Sequence, residues 1–128
     1  MAIHSNIMYI GEQCKMISKA LVAASTKPLI LSILTEGENY GYKIIQRVKE
    51  ISGGKLEWAD GMLYPVLHRL SKEGLVSTRW FISNEGRRRK YYKITTAGRK
   101  ELNTEIKQWM SVHKVFEKLW EPIPAFQQ

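Results

Sequence analysis

DGMLYPVLHRLSKEGLVSTRWFISNEGRRRKYYKIT, residues 60–95, is the stretch that decides the fold. On a 3.6-residue period Leu63, Val66, Leu67 and Leu70 share one face. Gly61, Tyr64, Pro65, His68 and Lys72 share the opposite one, with Arg69 beside them. The pattern predicts a helix over about 61–73, one side buried and the other presented. Asp60 is expected as its N-cap, because a carboxylate there accepts from the free amides of the first turn, and Gly74 stands where a left-handed terminator is wanted. Pro65 lacks an amide donor, which lets the true start slip by a residue or two.

Beyond Gly74, Val76–Ile82 and Tyr91–Thr95 are rich in β-branched and aromatic residues and read as two strands. Ser83-Asn84-Glu85-Gly86 is turn chemistry, and Arg87-Arg88-Arg89-Lys90 follows at once, placing four cations at the tip and second arm of a hairpin. A basic run alone is as readily a solvated surface. Behind a presenting helix it reads as the second half of a DNA-binding surface. In that reading Tyr64, His68, Arg69 and Lys72 enter or border the major groove, with Arg69 equally able to serve as a structural ion-pair partner. Gly61 and Pro65 lie on the same face, and Gly61 has no side chain to hold the duplex away. Arg87, Arg88, Arg89 and Lys90 follow the phosphate backbone or reach the adjacent minor groove.

The run Gly61-x-Leu63-Tyr64-Pro65-x-Leu67-x-Arg69-Leu70, then Gly74-Leu75-Val76, Trp80 and Gly86-Arg87-x-Arg89-Lys90-Tyr91-Tyr92-x-Ile94-Thr95-x-x-Gly98, resembles the PadR family of winged helix-turn-helix transcription regulators. The resemblance spans roughly residues 28–120, and its many fixed spacings make it specific. Met62 departs from it, since the family usually has threonine there, which puts in question a contact at the start of the recognition helix.

The 128-residue chain carries a net charge of +8 and a pI near 9.7. The imbalance is local: residues 60–100 hold ten Lys and Arg against three Asp and Glu. Charge concentrated in that way favours a polyanion, although charge alone leaves an anionic membrane surface open. Cys14 is the single cysteine and has no internal disulfide partner, and no Cys/His cluster has metal-ligand spacing. These features, with no early basic region ahead of Ala20-Leu21-Val22-Ala23-Ala24 and no span-length apolar run, predict a soluble cytoplasmic protein without cofactor or metal.

Ile3, Ile7, Ile10, Cys14, Ile17, Leu21 and Ala24 form a heptad-like stripe, read as an amphipathic N-terminal helix over 1–26, with a disordered tail as the competing reading because Gly11 interrupts it. Thr26-Lys27-Pro28 is a start signal for a short buried helix through Leu34. A second helix is predicted from about Tyr40 to Ser52 with Gly41, Ile44, Ile45, Val48 and Ile51 inward, and with Lys43 and Arg47 as candidates for a phosphate. Leu56-Glu57-Trp58 is the expected third strand. Residues 27–95 thus form the winged helix-turn-helix domain.

Thr95-Thr96 opens a long last helix, residues 96–121, which Pro122 and Pro124 stop ahead of a tail over 122–128. Leu102, Ile106, Trp109, His113, Phe116 and Trp120 follow one another at spacings of 4, 3, 4, 3 and 4, and Leu119 widens the stripe. A helix so long cannot bury that surface on so small a domain, so a homodimer through it is expected. The fold class is therefore mostly α, an α+β winged helix-turn-helix with a dimerisation helix and an extra N-terminal helix. The resemblance implies the same dimer. It also offers Trp109, with Phe116, as residues binding a small aromatic effector, the plainer alternative being ordinary interface packing.

Neither a P-loop nor a dinucleotide fingerprint occurs, and His4, His68 and His113 have no nucleophile or paired carboxylate in a catalytic motif. The expectation is a homodimeric, operator-binding repressor rather than an enzyme. The two-fold predicts half-sites about 34 Å apart or a multiple of it. The rival is a protein-interaction module whose basic wing meets an acidic partner.

Overall fold

Four helices and a three-stranded antiparallel sheet follow in the order α1 (Lys19–Leu34), β1 (Asn39–Tyr40), α2 (Gly41–Ile51), α3 (Asp60–Lys72), β2 (Val76–Ile82), β3 (Arg88–Ile94) and α4 (Thr96–Trp120). The computed structural model describes residues 17–120. The N-terminal part of the Ile3–Ala24 stripe and the tail over 122–128 lie outside these residues.

The first helix differs from expectation. Thr26 does not cap a new helix at Pro28; α1 begins nine residues before Pro28, at Lys19, where Ser18 Oγ accepts from Leu21 N at 3.2 Å. Thr26 is buried inside it, its hydroxyl donating to Val22 O at 2.6 Å. An internal proline costs about 3 kcal/mol. Against that, Ile30, Leu31, Ile33 and Leu34 are all buried within the next two turns, and each such side chain contributes about 1.5–3 kcal/mol, so packing outweighs the lost hydrogen bond.

The same core takes Ile44 and Val48 from α2, Leu63, Leu67 and Leu70 from α3, Val76, Tyr92 and Ile94 from the sheet, and Leu102 from α4. Ile51, assigned to the inward face of α2, is instead 58% exposed at the helix end. The sheet order is β1-β3-β2, with Asn39 opposite Tyr92 and Tyr40 opposite Tyr91. The third strand is therefore Asn39–Tyr40 and not Leu56-Glu57-Trp58. Trp58 instead plugs the core from the segment between α2 and α3, its indole N–H buried without a partner.

Asp60 is the first residue of α3 rather than its cap; the cap position is Ala59, which has no side-chain hydrogen bond to give. The Asp60 carboxylate still lies in the first turn, where it faces the positive end of the helix dipole. Gly74, at φ +76°, ends α3. Leu75 N donates to Leu70 O at 2.9 Å and Gly74 N to Ser71 O at 3.0 Å, the paired bonds of a Schellman motif.

The wing strands pair from Val76–Ile94 to Ile82–Arg88. Its turn closes through Gly86 N to Ser83 O at 2.9 Å and Ser83 N to Arg87 O at 2.8 Å, with Gly86 at φ +80°. Only Arg87 of the basic run belongs to the turn. Arg88, Arg89 and Lys90 are the first residues of β3, which starts three positions before the expected Tyr91 because they complete the ladder with Ile82, Phe81 and Trp80.

Helix α4 is rooted at this junction. The Thr95 hydroxyl donates to Gly74 O at 2.7 Å and accepts from Gly98 N at 3.0 Å, while Thr95 N donates to Leu75 O at 3.1 Å. Farther along, Lys27 of α1 meets Glu101 at 2.5 Å and Glu105 at 3.8 Å. The Glu101 hydrogen bond dominates and holds the Lys27 ammonium above its ordinary pKa despite partial burial.

A β-carbon on Gly98 would lie 2.1 Å from Leu75 O and 2.8 Å from Ile94 Cγ1. Gly98→Ala is expected to destabilise the fold by about 2 kcal/mol or more, since backbone must move to admit the methyl. Gly61→Ala, with nothing within 4 Å of the added carbon and a helical backbone, is expected to raise the urea midpoint slightly. Equal midpoints for the two variants would remove Gly98 from the junction.

Candidate nucleic-acid interface

Strand alternation gives the wing two faces. Val76, Thr78, Trp80 and Ile82 share one with Ile94, Tyr92, Lys90 and Arg88, their partners in register. That face meets α3 in a cleft of about 500 Å³ lined by Tyr40, Gly41, Tyr64, His68, Trp80, Arg88, Arg89, Lys90 and Tyr92. Helix and wing thus converge on one concave surface, cationic on the wing side and aromatic throughout.

The expected α3 residues Gly61, Tyr64, Pro65, His68, Arg69 and Lys72 are all exposed. Tyr64 and His68 line the cleft, while Gly61, Pro65, Arg69 and Lys72 continue the presented face beyond it. Arg88, Arg89 and Lys90 line its other wall, and Arg87 stands at the exposed wing tip. Met62 belongs to neither wall. It is half-buried against the core, its sulfur 4.0 Å from the Thr26 hydroxyl, so the departure from the family's threonine falls on the inner side of α3.

Aromatic groups set the positions of the wing cations. The Arg88 guanidinium lies 4.4 Å from the Trp80 ring centre, and Lys90 Nζ lies 5.9 Å from both Trp80 and Tyr92. Trp80, Tyr40, Gly41 and Tyr92 were missed as site residues; the pairing of Trp80 with Lys90 would have found Trp80 once the hairpin register was fixed. The Tyr64 hydroxyl is pushed above its ordinary pKa by burial and then by the Asp60 charge, and Tyr92 by burial and then by Tyr64. Both hydroxyls therefore remain protonated donors at neutral pH.

Ion pairs occupy four of the cations that lie away from this face. Arg47 is held by Glu36 at 2.9 Å and Glu50 at 2.5 Å, Arg79 by Glu38, Lys49 by Glu57 at 3.6 Å, and Lys27 by Glu101. Among the described residues no carboxylate pairs with Arg69, Lys72, Arg87, Arg88, Arg89 or Lys90. Arg69 is thus not a structural ion-pair partner, and Arg47 is committed to Glu36 and Glu50 rather than left for a phosphate.

On α4 the stripe divides. Leu102 is 5% exposed in the domain's own core and has little surface left for a partner. Ile106, Trp109, Phe116, Leu119 and Trp120 are exposed, with Phe116 stacked on Trp120 at 4.4 Å between ring centres. His113 is exposed too, 3.6 Å from Glu117. Trp109 lines an apolar pocket of about 350 Å³ between α1 and α4 with Ser25, Pro28, Leu29, Ser32, Ile106 and Met110. Phe116 is not part of that pocket.

A three-helix core, a two-stranded wing and an unpaired cationic cleft between wing and third helix define a winged helix-turn-helix DNA-binding protein. The family model described as Transcriptional regulator PadR-like family matches residues 30–104, and the chain belongs to that family. It is 32% identical over 98 residues to the Negative transcriptional regulator PadR of Bacillus subtilis, an alignment covering 77% of this chain and 48% of that protein. A transcriptional regulator from Clostridium thermocellum superposes with TM-score 0.71 at 28% identity, covering 78% of this chain and 97% of the other. A PadR-like transcriptional regulator from Bacillus cereus superposes at 0.70 and 29%, covering 79% and 96%. The chain is a DNA-binding transcriptional regulator of the PadR family and not an enzyme. No described helix is long and apolar enough to cross a membrane.

A β-carbon on Gly41 would fall 2.5–2.8 Å from the ring and hydroxyl of Tyr64. Tyr64 is exposed enough to swing aside, so the cost of Gly41→Ala is expected to appear in DNA affinity, about fivefold weaker for loss of roughly one contact, with thermal stability nearly unchanged. A stability loss with unaltered affinity would show that Gly41 serves the core and not the interface.

Proposed function

We propose that the protein is a homodimeric repressor that binds a pseudo-palindromic operator, presenting α3 to the major groove and the wing to the flanking backbone and minor groove. The observation that carries this is the clustering of cations around one cleft, Arg69 and Lys72 on α3 and the consecutive Arg87 to Lys90 on the wing, none of them paired with a carboxylate among the described residues. Gly61, Tyr64, Pro65 and His68 complete the helix surface: Tyr64 and His68 supply side chains for base edges once phosphate contacts fix the register, and Gly61 leaves room for the duplex to approach. Negative control is favoured by the Bacillus subtilis relative's description. In this reading residues 27–95 are the DNA-binding unit and 96–121 the dimerisation helix.

The dimer reading rests on Ile106, Trp109, Phe116 and Leu119, large apolar side chains exposed along one helix that ends at Trp120. At about 25 cal/mol per Å² their exposure costs several kcal/mol that a second copy would recover. His113 sits within the same stretch as a polar member of that surface. A small aromatic effector is accommodated by the apolar pocket at Trp109, and Phe116 would join it only from a second subunit or by moving. Such a compound acts by binding one arrangement of the two wings more tightly than the other, since equal affinity shifts nothing.

Selection from a random duplex library at about 0.15 M salt is expected to return a pseudo-palindrome. Arg88→Ala with Arg89→Ala should then weaken binding to every sequence and flatten the salt dependence by about two counterions. A folded dimer that selects nothing would turn the cationic face toward an acidic protein partner instead. Charged substitutions at Ile106 and Phe116 are expected to yield monomers in sedimentation with poor operator binding; an intact dimer would move the interface elsewhere on the surface.

A further inference from the structure

The outer face of the wing carries Ser77, Arg79 and Phe81 from β2 beside Lys93, Tyr91 and Arg89 from β3. Here a connected series of charged and aromatic groups runs across all three strands. Glu38, immediately before β1, accepts from Arg79 Nε at 3.0 Å through Oε2 and at 3.2 Å through Oε1, and from Arg79 Nη2 as well. The Arg79 guanidinium then lies 5.5 Å from the Phe81 ring centre and 5.7 Å from that of Tyr91. Phe81 meets Tyr91 edge-on at 5.7 Å, and Tyr91 meets Tyr40 edge-on at 5.3 Å. The series ends with the Arg89 guanidinium 4.5 Å from the Tyr40 ring centre.

Arg89 lines the cleft, yet no carboxylate holds it. A long cationic side chain in that situation samples many rotamers, and fixing one costs conformational entropy when it meets a phosphate. An aromatic face attracts a guanidinium without neutralising it, so it orients the group while leaving all its donors for an anion. A carboxylate in the same place would cancel the charge that DNA needs.

We propose that Tyr40 is a positioning residue for DNA binding: its ring holds Arg89 at the rim of the cleft, and the Glu38–Arg79 pair, through Phe81 and Tyr91, holds Tyr40. This rests on the reading of Arg89 as a phosphate contact and adds what aims it. The short strand β1 is thereby more than an edge to the sheet; it sets where one wing cation points.

The test is a double-mutant cycle on Tyr40 and Arg89 in the full chain, read as affinity for a random-sequence duplex of about 30 base pairs across a salt series, because such binding reports phosphate contacts without needing the operator. Tyr40→Leu is expected to weaken binding about three- to fivefold and to lower the salt slope by about one, whereas Tyr40→Phe keeps the ring and binds as the wild type does. In an Arg89→Ala background Tyr40→Leu should have no further effect. If Tyr40→Leu weakens binding equally with and without Arg89, or leaves the salt slope intact while lowering the melting temperature, Tyr40 merely supports the fold and the proposal fails. If Arg89→Ala alone changes neither affinity nor slope, Arg89 is not a phosphate contact, and the failure lies in the underlying reading.

Discussion

Leu75 is the point on which the structure turns. Its amide closes the end of α3 onto Leu70, its carbonyl receives Thr95 at the end of the wing, and Gly98 of α4 packs directly on that carbonyl. One residue thus fixes recognition helix, wing and last helix relative to one another. The arrangement demands a left-handed residue at Gly74 to turn the chain and a missing side chain at Gly98 to let the helix approach. Thr95 completes it by bonding to both neighbours with a single hydroxyl, donating to Gly74 and accepting from Gly98.

From that junction the division of charge follows. Glu36, Glu38, Glu50, Glu57, Glu101 and Glu105 pair with cations of α1, α2 and the outer wing. The Glu36 and Glu38 carboxyls are held below their ordinary pKa chiefly by hydrogen bonds from Arg47 and Arg79. The pairs made by Arg47 and Lys49 are exposed and add little to stability, while Lys27 with Glu101 and Glu105 is partly buried. The larger effect of these pairs is to offset the charge of Lys27, Arg47, Lys49 and Arg79, while the consecutive cations Arg87 to Lys90 keep theirs beside α3.

The recognition helix and wing were legible because their signals are local: a 3.6-residue apolar period in 63–70, a glycine stop, and two β-rich runs around a Ser-Asn-Glu-Gly turn. Family spacing and family model agree on that segment. What sequence could not supply were the choices made by tertiary packing. Pro28 sits inside a helix because the next two turns are buried. Trp58 fills the core and so is unavailable to a sheet, while Asn39–Tyr40, with no strand signature of their own, pair because α2 starts there beside β3. Leu102 follows the heptad of α4, yet spacing cannot tell a residue buried at home from one reserved for a partner. Trp80 and Tyr40 entered the site only through register and edge position, which no single segment encodes.

Helix α4, with 25 residues, is about 37 Å long and only Gly98 and Leu102 near its start are buried. It is in effect a stiff rod clamped at one end, with the clamp built on the same residue that ends the recognition helix. A tilt of about 5° at the root moves the far end on the order of 3 Å, and the relation works in reverse. A force applied to the rod at Phe116 or Trp120 therefore acts on the root through a long arm, and a far-end shift of about 3 Å arrives at the junction as a rotation of only about 5°.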